Sequence, residues 1–207
     1  MGNDVLTIVA IGGVLALGAM SPGQSFILVA STALGSSRRN GLAVSLGMGV
    51  GAAIFALIAL LGLQSLLLAV PWLYQALKTI GGIYLLYLAY KLFRAKPGGV
   101  APSSHHNATP HQGRAFRQGL LTQLSNPNTA LVFGGVFAAL LSQHIARWMY
   151  AALPLLAFVI DFLWYALVAL LLSSSRPRSV YLRFRTLFDR LSGTVMAVLG
   201  LRLLLQK

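Results

Sequence analysis

The sequence predicts an all-α membrane protein with six transmembrane helices in two inverted three-helix repeats. Three observations lead there. Hydrophobic residues fill 57% of the 207 positions and charged residues only 9%, whereas a soluble domain carries about 25% charged residues. So few charges cannot cover a water-facing surface, but a lipid-facing surface needs none. The apolar residues fall in six continuous runs, each near the roughly 20 residues that cross a bilayer as a helix. The Lys and Arg residues collect between alternate runs, as they do in the cytoplasmic loops of membrane proteins.

The first run covers about Val5 to Leu34. Its start, Met1-Gly2-Asn3-Asp4, has no positive charge and the run passes residue 30, so it reads as a retained helix rather than a secretory signal, which opens on a basic region. The second covers about Gly41 to Leu63, and the third about Trp72 to Phe93. The stretch from Ala95 to Gly113 is rich in Pro, Gly, Ser and His and reads as a flexible loop. The fourth run covers about Phe116 to Leu141, and the fifth about Trp148 to Leu172. The sixth, about Leu187 to Leu205, is the weakest, because Asp189, Arg190 and Arg202 shorten its apolar centre. Just before it, Val180, Phe184, Leu187 and Leu191 have helical spacing among arginines. That pattern fits an amphipathic helix on the membrane surface, or an early start to the sixth run. None of the runs alternates apolar and polar residues as a barrel strand would. A helix also satisfies its own backbone hydrogen bonds, which hydrocarbon cannot do.

Twelve Lys and Arg residues flank the loops after runs one, three and five, while the loop after run two has none. The positive-inside rule then places both termini outside the cytoplasm, and six spans likewise put them on one side. The chain reads as a single domain, with a first repeat of about 1–95, a cytoplasmic loop of about 95–113 and a second repeat of about 114–207. The net charge of +13 belongs to those loops, so no nucleic-acid partner is expected. Without cysteine there is no disulfide framework or thiolate metal site.

Two of the runs are interrupted. Run one contains Ser21-Pro22-Gly23-Gln24-Ser25, and run four contains Ser125-Asn126-Pro127-Asn128-Thr129. A proline removes a backbone donor and clashes with the carbonyl four residues back. In lipid such a break persists only where protein or a water-filled cavity serves the freed groups. Paired breaks in corresponding runs of two repeats point to a binding site near the membrane midplane, though a proline kink that only serves packing is the alternative at each. The substrate-binding candidates are therefore Ser21, Pro22, Gly23, Gln24, Asn126, Pro127 and Asn128, with Tyr84, the deepest tyrosine of run three, beside them.

Asp161 lies about halfway along run five. A charged side chain at the membrane centre costs at least about 2.5–3.5 kcal/mol, so it is expected to be neutral, paired or facing a cavity. It is a candidate for exchanging a proton during transport, the alternative being a structural hydrogen bond. Lys78 is the other internal charge; it can snorkel outward, pair with Asp161 or meet a substrate carboxylate. Gly47 and Gly51 form a small-xxx-small face suited to close helix packing. His105, His106 and His111 lie in the polar loop with no cysteine or acid nearby, so no metal is expected there. No nucleophile–base–acid set and no phosphate-binding loop appears, so no enzyme activity and no cofactor are expected.

The order of these motifs resembles the LysE/RhtB family of amino-acid exporters. The resemblance runs along nearly the whole chain: Ser21-Pro22-Gly23, Gly41-Leu42, Gly47-Met48-Gly49-Val50-Gly51, Leu77-Lys78, Gly81-Gly82-Ile83-Tyr84-Leu85, Phe116-Arg117-Gln118-Gly119-Leu120 and Asn126-Pro127. It implies a six-span exporter of amino acids or related metabolites in a bacterial inner membrane, driven by the proton motive force. Members often carry an aspartate where Gln24 stands, an acid near Ala52 and a lysine where Asn128 stands. With those acids missing, a neutral amino acid is favoured over a cationic one. The expected partners are a small-molecule substrate and the lipid bilayer, with a homodimer left open. A carrier of another metabolite or cation, and a membrane assembly subunit without transport, are the alternatives.

Overall fold

The computed structural model describes residues 2–20, 23–69, 71–94, 111–141, 145–171 and 175–205. These form helices α1 (Gly2–Met20), α2 (Gln24–Gly35), α3 (Arg38–Ala69), α4 (Pro71–Phe93), α5 (Gln112–Leu124), α6 (Pro127–Leu140), α7 (Met149–Leu171) and α8 (Ser175–Leu205). No strand occurs among the described residues. Runs one and four each become two helices. In run one the break falls at residues 21–23, where α1 and α2 bend by 57°. Run six starts early: α8 continues unbroken from Ser175, so no separate surface helix precedes it.

Residues 38–62 of α3 and all of α7 are each long and apolar enough to cross a membrane, and α1 with α2 makes a third span if the bent pair is counted as one. Their outer faces carry large apolar side chains such as Leu6, Ile58, Leu155 and Leu163, each more than half exposed. A water-soluble monomer rarely exposes apolar patches on this scale, whereas lipid accepts them.

Glycines decide how closely the helices approach. A Cβ on Gly47 would collide with the carbonyl of Phe116, and one on Gly119 with the carbonyl of Val44, so α3 and α5 touch backbone to backbone. Gly49, on another face of α3, meets Phe158 and Phe162 of α7, and Gly41 meets Ala169. Gly47 also meets Leu120 and Gly51 meets Gln123, so these contacts advance together along α3 and α5, whereas those along α3 and α7 run in opposite senses. Hence α5 runs parallel to α3, and α7 antiparallel to both. On the other side, Gly82 of α4 meets Gly200 of α8, and Gly193 meets Ala89, which makes that pair antiparallel. Such small-residue contacts replace the hydrophobic driving force that lipid removes.

Candidate functional site

The break between α5 and α6 follows from three residues. Asn126 is held extended, at φ −83° and ψ 105°, as the residue before a proline tends to be. Its side-chain oxygen accepts from the Asn128 backbone N–H at 3.0 Å. Pro127 fills the first helical position, where a missing N–H costs nothing. Pro127 therefore starts a helix rather than kinking one. The break between α1 and α2 has a different solution. Gly23, extended at φ −126° and ψ −160°, precedes α2 without a side-chain cap. On the α1 side, the Ser192 hydroxyl of α8 donates to the Leu17 carbonyl at 2.7 Å. A neighbouring helix thus serves a carbonyl in the last turn before the break, as the hydrocarbon environment demands.

Both breaks face one cavity of about 280 Å³. This lies at the small end of the range for ligand pockets, roughly 300–1,000 Å³. The first turns of α2 and α6 line it through Gly23, Gln24, Ser25, Asn128 and Thr129, and Asn126 lies on it as well. Helix N-termini present backbone donors and the positive end of the helix dipole, and two of them converge here. From α7 come Asp161 and Tyr165, from α8 Asp189 and Met196, and from α4 Leu88, Lys91 and Leu92.

Asp161 is 6% exposed and Gln123 of α5 is 2% exposed. The Gln123 Nε2 donates to Asp161 Oδ2 at 2.6 Å, and the Ser25 hydroxyl donates to Gln123 Oε1 at 3.1 Å. Three helices are joined in this way. Gly51 of α3 backs the arrangement, since a Cβ there would lie 2.7 Å from the Cβ of Gln123. A second link sits at α6, where the Tyr84 hydroxyl donates to Asn128 Oδ1.

The sequence matches the LysE type translocator family over residues 16–207. The chain belongs to that family. The threonine efflux protein of Salmonella typhi is 34% identical over 193 residues, which cover 91% of this chain and 92% of the relative. The threonine efflux protein of Escherichia coli strain K12 is 32% identical with the same coverage. An uncharacterized membrane protein of Haemophilus influenzae is 27% identical over 187 residues, 88% of this chain and 89% of its own. No solved structure matches. As a LysE-type translocator the protein is a membrane transporter and not an enzyme.

In this translocator the structure brings Gly23, Gln24, Asn126, Asn128 and Asp161 onto one cavity. Pro127 sits between two of its lining residues. Tyr84 is off the lining itself and reaches the site through Asn128. Lys78 is on α4 away from the cavity lining, and the hydrogen-bond partner of Asp161 is Gln123 rather than Lys78. Ser21, Pro22, His105 and His106 lie outside the described residues; His111 is exposed at the start of α5. Sequence reasoning misses Gln123, Ser25, Lys91 and Asp189 as site residues. Asp189, which in the sequence only weakens run six, is 4% exposed and shares the cavity with Asp161.

Proposed function

We propose that this translocator exports a small neutral amino acid from the cytoplasm across a bacterial inner membrane, driven by the proton motive force. The observation that carries the reading is the single small cavity on which both helix breaks and Asp161 converge. A zwitterion suits it: the N-terminal turns of α2 and α6 offer donors to the carboxylate, and Asp161 and Asp189 offer oxygens to the ammonium group. The threonine efflux relatives favour a short, hydroxylated or apolar side chain. Asp161 exchanges the coupling proton as access alternates. Lys91, at the end of α4, supports a mouth of the cavity on the cytoplasmic side.

The architecture we assign is six spans: α1 with α2, α3, α4, α5 with α6, α7, and α8. They form two inverted repeats with both termini outside. Several features support the symmetry. The paired equivalents α3 and α7 pack antiparallel, as do α4 and α8, which is what a two-fold axis in the membrane plane requires. If Gly81 and Gly193 are equivalent, the Gly82–Gly200 contact recurs between Leu88 and Thr194; the Gly193–Ala89 contact is one residue away on each helix. The breaks also lie at similar depth. At 1.5 Å per residue, the α1–α2 break is about 18 Å from the inner end of α2, and the α5–α6 break about 20 Å from the start of α5.

The decisive experiment is efflux from proteoliposomes loaded in turn with labelled threonine, labelled lysine and a labelled 2-hydroxy acid, with and without a proton gradient. Threonine is expected to leave, and to leave faster with the gradient; lysine and the hydroxy acid are expected to stay. No efflux of any of the three removes the reading. Threonine efflux indifferent to the gradient removes its coupling half.

A further inference from the structure

We propose that Gln123 is a positioning residue that ties the protonation of Asp161 to the seating of α2, through the series Ser25–Gln123–Asp161. The proposal rests on Asp161 being the coupling carboxyl of the proposed transport cycle.

The argument starts from the two unlike ends of an amide, one that only accepts hydrogen bonds and one that only donates. Gln123 Nε2 points at Asp161 Oδ2 and its Oε1 accepts from Ser25. With Asp161 ionised, the reversed amide would set carbonyl oxygen against carboxylate oxygen. Ionised Asp161 therefore requires the orientation seen, and that orientation requires a donor on the far side. Ser25 is that donor. With Asp161 protonated, its own O–H can donate to Oε1, and the Ser25 hydroxyl can accept from Nε2. Both amide orientations then work, and the demand on Ser25 disappears.

Space limits the other choices. Gln123 is buried, and Gly51 leaves room for its stem only because it has no Cβ. Ser25 lies in the first turn of α2, directly after the break at residues 21–23. A shift that withdraws Ser25 leaves the donor orientation of Gln123 unsupported, and the carboxylate then binds its proton with a different affinity. Linkage makes this reciprocal: protonating Asp161 changes how firmly α2 is seated.

Other charges near Asp161 are few. Asp189 of α8 and Lys91 of α4 line the same cavity, with Tyr165 on its own helix. Of the helices packed against α7, the described parts of α1 and α2 from Val5 onward hold no ionisable side chain. Residues 38–62 of α3 hold only Arg38 and Arg39, at the start of the helix, and α5 has Arg114 and Arg117 toward its own start.

The test is an infrared pH titration of the full chain in phosphatidylethanolamine–phosphatidylglycerol vesicles. With three aspartates and no glutamate in the sequence, the carboxylic C=O band lost in Asp161→Asn is readily assigned. Ser25→Ala and Gln123→Met are each expected to move its midpoint by about half a pH unit or more. The double variant moves it no further, and Ser25→Thr, which keeps the hydroxyl, restores the wild-type midpoint. A purely structural role changes thermal stability but not this pattern. If Gln123→Met fails to fold, the comparison of Ser25→Ala with Ser25→Thr decides. Wild-type midpoints in the variants overturn the proposal, as do additive shifts in the double variant. If no Asp161 band titrates between about pH 4 and about pH 10, the coupling role of Asp161 falls and the proposal with it.

Discussion

Replacing Asp161 with asparagine removes one charge and little volume, so its effect reports on the carboxyl rather than on packing. A hydrogen bond to a charged group contributes about 1.5–3 kcal/mol, which corresponds to a loss on the order of tenfold to a hundredfold in transport. Asp161→Asn is expected to lose gradient-driven threonine efflux on that scale; full and still proton-coupled efflux would rule the role out. Lys78 lies off the cavity that Asp161 lines, so Lys78→Met and Asp161→Asn should have independent effects that multiply. A double variant no worse than Asp161→Asn alone contradicts this. At this scale the sequence was half legible. Asp161 stood out because an acid in an apolar run has few innocent explanations. Gln123 did not, because a single amide in such a run is unremarkable until its partners are known, although it stands one helical turn before Asn126. Asp189 was hidden by its arginine neighbours. The signal to look for was its spacing with Ser192 and Met196, which places all three on one helix face.

The helices ask for different tests. Asn126 caps α6 through the Asn128 N–H, and losing such a cap costs about 0.5–2 kcal/mol. Gly47 is the stricter position: Gly47→Ala pushes a methyl into the Phe116 carbonyl and forces α3 from α5, whereas the same change at Gly134 meets nothing within 4 Å. Overpacking of this kind costs about 1–3 kcal/mol. In detergent, Gly47→Ala is expected to unfold several degrees below wild type while Gly134→Ala stays close to it; equal melting of the two would show that the contact has slack. The breaks were legible because proline and small polar residues rarely cluster inside an apolar run without cause. The unbroken course of α8 was only one of two readings, since the charged residues crowded between Arg176 and Arg190 suppress the apolar signal while leaving the backbone free to stay helical.

For the whole molecule, orientation is open to a direct test because the chain has no cysteine. Arg147→Cys should react with a membrane-impermeant thiol reagent in intact spheroplasts, and Arg114→Cys only after permeabilisation. The reverse pattern would place the termini in the cytoplasm. Composition made the membrane class legible, because it is a sum over many residues, and loop charge supplies the side assignment that this labelling tests. A shared site at the two breaks was expected from their pairing, but the other helices lining the cavity were not, because that depends on which helices pair. That pairing has a mechanical consequence. The glycine contacts bring α3 against α5 and α4 against α8 at backbone distance. Both groups of helices line the cavity, α5 and α7 through Gln123, Asp161 and Tyr165, and α4 and α8 through Leu88, Lys91, Asp189 and Met196. Opening it to the opposite face of the membrane is expected to separate these two groups of helices along the seam between them. A cross-link across that seam is expected to stop transport without altering any residue of the proposed binding site.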